Sequence, residues 1–186
     1  MAQRVMAFVD GENLVLRYQD MVKDGAKPKE GVIHEQDTLV WHPEVTLFSF
    51  ADYVRESFYQ TIVGDTNRVD AVCEKVSSAR YEFREGSTDP DAGNGTLRPR
   101  IFKKESKSAK TKSVDINLTV DALRHVADQQ LDVVFLLSGD GDYLPVVEEI
   151  GRSGRQVWVG AFSKGLNKRL RFACDEFVDL DSIFFQ

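Results

Sequence analysis

Val5-Met6-Ala7-Phe8-Val9-Asp10-Gly11-Glu12-Asn13-Leu14 is an apolar run that stops abruptly on a carboxylate and a turn. The same grammar returns at Val133-Val134-Phe135-Leu136-Leu137, followed by Ser138-Gly139-Asp140-Gly141-Asp142. Short uninterrupted apolar runs bounded by turn residues read as strands buried on both faces, the pattern of a parallel sheet covered by helices. In open sheets of that kind, ligands bind outside the carboxyl ends of the strands. Two strands ending in acid therefore predict one shared acidic mouth. Carboxylates gathered there repel one another and take up protons unless a cation compensates. Mg²⁺ or Mn²⁺, hard ions that prefer oxygen donors, are the cofactors this pattern implies.

Working outward, residues 14–23 read as a helix with Leu14, Tyr18, Met21 and Val22 on its inner side. Segment 24–46 is polar and carries Gly25, Pro28, Gly31 and Pro43, so it reads as an excursion from the core with a short strand at Thr38 to Trp41. A helix is expected at about 46–54, a second core strand at Phe58 to Val63, and a third helix from about Asn67 to Ala79. Tyr81 to Arg84 alternates like a strand, and the stretch at about 85–113 reads as a mobile basic loop containing a further strand at 99–103. A calcium loop beginning at Asp89 would need Gly and Glu where Asn94 and Arg100 stand, so that reading is set aside. Then come a helix at 114–127, a strand at 132–138, a helix at 142–152, a strand at 156–161, a basic helix at 165–174 and an edge strand at 177–180. Strands alternating with helices predict a single α/β domain over residues 1–186, its sheet mostly parallel with helices on both faces.

Composition bounds the function. Apolar content of 42% and charged content of 29% are globular values, and no stretch approaches the roughly 18 apolar residues of a membrane span. An N-terminus that enters a strand at once, with no basic region or cleavage pattern, predicts a cytoplasmic protein. Cys73 and Cys174 stand alone and read as reduced thiols. The net charge of -6 argues against general nucleic-acid affinity but leaves room for a local basic stripe.

Three segments carry a family resemblance: Val9 to Leu14, Lys112-Ser113-Val114-Asp115 opening a helix, and Leu137-Ser138-Gly139-Asp140-Gly141-Asp142-Tyr143-Leu144-Pro145. In this order they resemble the signatures of the NYN domain, which includes the LabA-like proteins and is a branch of the PIN-like nucleases. Gly151 to Val159 and Asp175-Glu176-Phe177 resemble its C-terminal pattern. Gly141 stands where a serine is common and Tyr143 where a phenylalanine is usual. The resemblance implies a PIN-like (Rossmannoid) fold and a metal-dependent ribonuclease, probing single-stranded RNA and leaving a 5′-phosphate. It assigns Asp10, Asp115, Asp140 and Asp142 to the acidic metal site, with Asn13 as their polar companion.

The chemistry stands beside the family name. Cleaving a phosphodiester requires neutralising its charge, activating a water and stabilising the leaving oxygen, and bound metals can do all three. Asp10 and Asp140, on short stiff tethers at strand ends, are the expected direct ligands. Asp142 follows two residues on, and Asp115 lies in the first turn of its helix, where exposed N–H groups favour negative charge. Asn13 offers a carbonyl or an amide. Ser138 and the amides near Gly139 and Gly141 are candidate phosphate contacts. Asp121 reads as structural, pairing with Arg124 or His125.

Lys104, Lys107, Lys110 and Lys112 belong to a basic stretch that leads directly into Asp115, and Lys164, Lys168 and Arg171 form a second cluster after the last core strand. Both suit phosphate backbone binding. Tyr143, Phe102 and Phe162 read as core rather than base-stacking residues. The competing reading is a catalytically weak RNA-binding or protein-interaction module of the same fold, with a protein partner or a homodimer in view. A phosphatase of the haloacid dehalogenase type is disfavoured, since that chemistry wants Asp where this chain has Glu12. Walker A and GxGxxG loops are absent, which argues against nucleotide cofactors.

Overall fold

The computed structural model describes residues 3–47, 51–82, 94–104, 106 and 113–186. Strand β1 (Gln3–Asp10) enters the centre of the sheet and buries side chains alternately to both sides. Val5, Ala7 and Val9 join one core cluster, and Met6 and Phe8 join the other. Helix α1 (Gly11–Lys23) follows, then a small hairpin of β2 (Ile33–Glu35) and β3 (Leu39–Trp41), a 3₁₀ turn (Pro43–Thr46) and the long strand β4 (Ala51–Val63). Helix α2 (Thr66–Ser78) leads to a second hairpin, β5 (Arg80–Glu82) with β6 (Asn94–Thr96), and to β7 (Arg98–Lys104). The second half alternates α3 (Ser113–Ala127), β8 (Val133–Leu137), α4 (Leu144–Arg152), β9 (Gln156–Ala161), α5 (Lys168–Ala173), β10 (Glu176–Asp179) and α6 (Asp181–Phe184).

Six strands form one sheet in the order β10-β9-β8-β1-β4-β7, and every pairing in it is parallel. Helices α1, α2 and α6 contribute to the core on one face, and α3, α4 and α5 to the core on the other. Helix α3 shows why. Val114, Leu118, Ala122 and Val126 recur every fourth residue and are all buried, a single stripe laid on the sheet. Emptying that stripe by Leu118→Ala would cost about 2–5 kcal/mol. The expected α/β architecture is thus present, with a sheet more uniformly parallel than the sequence alone indicated.

Two expectations fail. The helix anticipated at about 46–54 is absent: β4 already runs from Ala51, and a register shift against β1 between Val5 and Met6 skips Val54, which hides the strand's alternation in sequence. Nor is all of 24–46 outside the core: residues 24–37 are exposed or half-buried, but the chain turns inward from Thr38. Leu39, Val40, Trp41 and Val45 are all fully buried, and Trp41 Nε1 donates to the Arg80 carbonyl at 2.9 Å, which stitches the hairpin to β5. Apolar side chains outvote the polar, Gly- and Pro-bearing frame around them. Within the stretch expected as a mobile loop at about 85–113, residues 94–104 form β6 and β7, while 85–93 and 107–112, with Lys107, Lys110 and Lys112, lie outside the described residues. Cys73 and Cys174 are free thiols, and among the described residues no helix is long and apolar enough to cross a membrane.

Candidate active site

Strand order dictates where the site falls. From β1 the chain moves to one side, through β4 to β7, and then returns to place β8 on β1's other edge. The loop after β1 enters α1 on one face, and the loop after β8 leads to α4 on the other. A crevice opens between two such loops at the carboxyl ends of adjacent strands, where open α/β sheets bind ligands.

Asp10 ends β1 and caps α1, its Oδ1 accepting from the Asn13 backbone N–H at 3.0 Å. The extended backbone and short acceptor side chain of Asp suit that position. Its Oδ2 accepts from Ser138 Oγ at 2.9 Å, and Ser138 Oγ in turn accepts from the Asp140 N–H at 3.1 Å. Asp140 Oδ1 takes the Asp142 N–H at 3.0 Å, capping the 3₁₀ turn Gly141–Tyr143. Asn13 Oδ1 crosses the crevice to accept from the Gly139 N–H at 3.1 Å. The two loops are therefore laced together by side chains from both.

Asp115 arrives from the first turn of α3, where its Oδ1 accepts from the Tyr143 hydroxyl at 3.3 Å. Tyr143 is buried, and after burial itself the negative charges of Asp10, Asp115 and Asp140 are what push its phenol upward. Asp10 is 3% exposed, and burial raises its carboxyl to about 7. The Asn13 N–H and the Ser138 hydroxyl pull it down, while Asp115 and Glu12 push it further up. A carboxyl raised by burial and like charges is one whose charged form a bound cation would favour.

The oxygens of Asp10, Asp115, Asp140, Asp142 and Asn13 are hard donors and fit Mg²⁺ or Mn²⁺ rather than softer ions. Among the described residues, no three His, Cys, Asp or Glu side chains stand close enough to hold one ion together. Mg²⁺ is usually held by one or two carboxylates and keeps several waters, so the donor set suits it without a full protein cage.

Other expected residues divide. Ser138 is fully buried with its hydroxyl engaged on both sides, which places it behind the carboxylates as a strut. Asn13's carbonyl is likewise used as a cross-link. Lys104 Nζ reaches Glu12 Oε1 at 3.5 Å, beside the crevice. Lys164 is paired with Asp24, Arg171 stacks over the Phe177 ring with its Cζ 5.0 Å from the centroid, and Lys168 is exposed at the start of α5. Asp121 is structural, but its partners are Tyr59 and Arg100, each at 2.9 Å, not Arg124 or His125.

Sequence reasoning missed Asn167. Its backbone N–H donates to the Gly139 carbonyl at 2.9 Å, and its Nδ2 would lie 1.9 Å from a Cβ placed on Gly141. Any side chain at 141 would have to displace that amide, so the glycine there and the Asn167 amide above it are one feature. Nothing local marks Asn167, which reads simply as the cap of α5.

The NYN domain model matches residues 4–181, a span holding all of these carboxylates. A crystal structure of a protein of unknown function from Vibrio parahaemolyticus RIMD 2210633 is similar to this chain at 20% identity, with a TM-score of 0.59, covering 100% of this chain and 97% of that one. At that identity the likeness speaks to the fold alone. No curated protein matches the chain. A family match running almost end to end, with its signature residues meeting at the switch point of the sheet, is decisive: the chain belongs to the NYN domain family and carries its PIN-like nuclease fold.

Proposed function

We propose that the protein is a metal-dependent ribonuclease that cuts single-stranded RNA internally and leaves 5′-phosphate ends. The observation that carries this reading is the Asp10 carboxyl, buried at the end of β1 and joined through Ser138 to Asp140 on the loop after the neighbouring strand. Family membership supports the nuclease class. One or two of the carboxylates Asp10, Asp115, Asp140 and Asp142 would hold a divalent ion directly and the others would act through its waters, and when bound it would supply charge neutralisation and an activated water. The chain's own residues set the frame: Ser138 and Asn13 fix both loops, Tyr143 holds Asp115, and the Asn167 amide lies over Gly141. Water attacks phosphorus, the P–O3′ bond breaks, and the 3′ oxygen leaves with a proton. Lys104, Lys107, Lys110 and Lys112 on one bank, and Lys164, Lys168 and Arg171 on the other, would carry the RNA backbone.

A second reading, an RNA-binding or protein-interaction module with little turnover, is favoured by the absence of any three-residue metal cluster among the described residues. One experiment separates the two. Labelled RNAs and DNAs of mixed sequence are incubated with Mg²⁺, Mn²⁺ or EDTA, using wild type and Asp140→Asn purified identically. The nuclease reading expects cleavage of unpaired RNA that EDTA and the substitution both stop. Tight RNA binding without cleavage in either metal would establish the second reading instead.

A further inference from the structure

A cavity of about 560 Å³ opens next to the acidic crevice, on the α1 face of the sheet. It belongs to none of the signature segments except through Glu12. Its floor is made by Val15 from α1 with Gln60 and Ile62 from the carboxyl end of β4, all nearly fully buried. Leu16, 52% exposed, forms one lip. Val15, Leu16, Ile62 and Val63 form an apolar strip in an otherwise polar and charged lining, at a volume within the roughly 300–1,000 Å³ of small-ligand sites.

The polar groups have a definite character. Gln60 donates to the Thr38 carbonyl at 3.3 Å and accepts from the Thr61 N–H at 2.9 Å, so its amide is locked in place with one N–H and one lone pair still to offer. Gln19, which also lines the cavity, is within 3.2 Å of His34 Nε2, and Gln36 Nε2 donates to Asp37 Oδ1 at 3.0 Å. Asp37 takes the left-handed backbone, φ 58°, at the rim. Two cations stand at the mouth. Lys104 is tied to Glu12, and Arg68 makes no ion pair among the described residues. Apolar faces, amides at the edge and cations at the entrance match a flat heteroaromatic ring bearing a phosphate.

We propose that this cavity receives an unstacked nucleobase of the RNA strand, with the neighbouring phosphate held by Arg68 and Lys104. Glu12 joins the two sites: it is two residues from Asp10, and its carboxylate takes hydrogen bonds from Thr61 Oγ1 and Lys104. A base seated here puts its strand across the acidic crevice. Single-stranded RNA is read in this manner, by bases splayed out into pockets. The inference rests on the ribonuclease reading for its substrate but not for its binding site.

The test uses the full chain in EDTA, titrated with the four ribonucleoside 5′-monophosphates and with ribose 5-phosphate. The monophosphates should bind at least about tenfold more tightly than ribose 5-phosphate, a difference of about 1.4 kcal/mol. Leu16→Trp, which fills the cavity from a half-exposed position, should remove that preference, and Arg68→Ala should weaken monophosphates and ribose 5-phosphate alike. In metal, Leu16→Trp should raise KM for RNA far more than it lowers kcat, while Asp140→Asn should bind monophosphates like wild type. Equal affinity for ribose 5-phosphate and monophosphates overturns the base site, as does a Leu16→Trp protein matching wild type in both binding and KM. Monophosphate binding that depends on Leu16 in a protein that never cuts RNA would sink the ribonuclease reading and leave the pocket standing.

Discussion

Asp10 and Glu56 are both buried acids near the centre of the sheet, yet their surroundings are opposite. Asp10 ends β1 beside Tyr59 of β4, with a hydrogen bond on each oxygen and other carboxylates nearby. Glu56 lies inside β4 opposite Ala7, is 0% exposed, and neither of its oxygens has a hydrogen-bond partner among the described residues. Burial drives both carboxyls upward, Asp10 to about 7 and Glu56 well above the usual carboxylate range. The difference lies in what each could do. Asp10 stands at a strand end where a cation could reach it, and Glu56 is sealed within the fold, where the neutral acid is the least costly form. A raised carboxyl therefore does not by itself mark a site. Position on the topology and the company of other oxygens do.

The comparison breaks first on catalysis. Asp10→Asn keeps the helix cap and Asp140→Asn keeps its turn, so both should fold, yet each should lose at least about a thousandfold in cleavage rate, or about 4 kcal/mol of transition-state stabilisation. Unchanged rates in both would place the chemistry elsewhere. Stability sharpens the same contrast. A carboxyl raised in the folded state binds more protons there than in the unfolded chain, so its cost is absent below the unfolded value and grows as pH rises toward the folded one. Glu56→Met should therefore stabilise the protein, with a gain that increases by up to about 1.4 kcal/mol per pH unit above the ordinary glutamate range. Chemical denaturation at pH 5, 6, 7 and 8 measures it, and a gain that is flat across that series would mean Glu56 ionises freely.

A smaller effect belongs to the basic run. Changing Lys104, Lys107 and Lys110 together to Ala should lower the salt slope of RNA binding by about 2, since each phosphate released from single strands contributes roughly 0.7. The loss should be similar across RNA sequences, because phosphate contacts do not read bases. A slope equal to wild type would move the substrate path to Lys164, Lys168 and Arg171.

Much of this was legible from residue order alone. Uninterrupted apolar runs marked β1 and β8, and the acids following them marked the carboxyl ends, since in a parallel sheet both lie on one edge. The helix at 114–127 was expected as well, though its buried stripe was not picked out in advance. What stayed hidden had a local pattern that misleads. β4 carries a bulge at Val54 that breaks its two-residue alternation, so its first half read as helix. Trp41 and its neighbours sit within a polar, glycine-bearing frame yet pack in the core. Asn167 and the cavity beside Glu12 are products of tertiary assembly: α1, the 37–38 turn, β4, α2 and β7 each supply a wall, and no stretch of sequence announces their meeting.

Direct Mn²⁺ binding, measured by calorimetry on wild type, Asp10→Asn and Glu56→Met, tests the central claim that the Asp10 crevice is the cation site. Wild type and Glu56→Met should bind alike, and Asp10→Asn should bind on the order of tenfold or more weakly, a loss of at least about 1.4 kcal/mol. Equal affinity in all three proteins would contradict it.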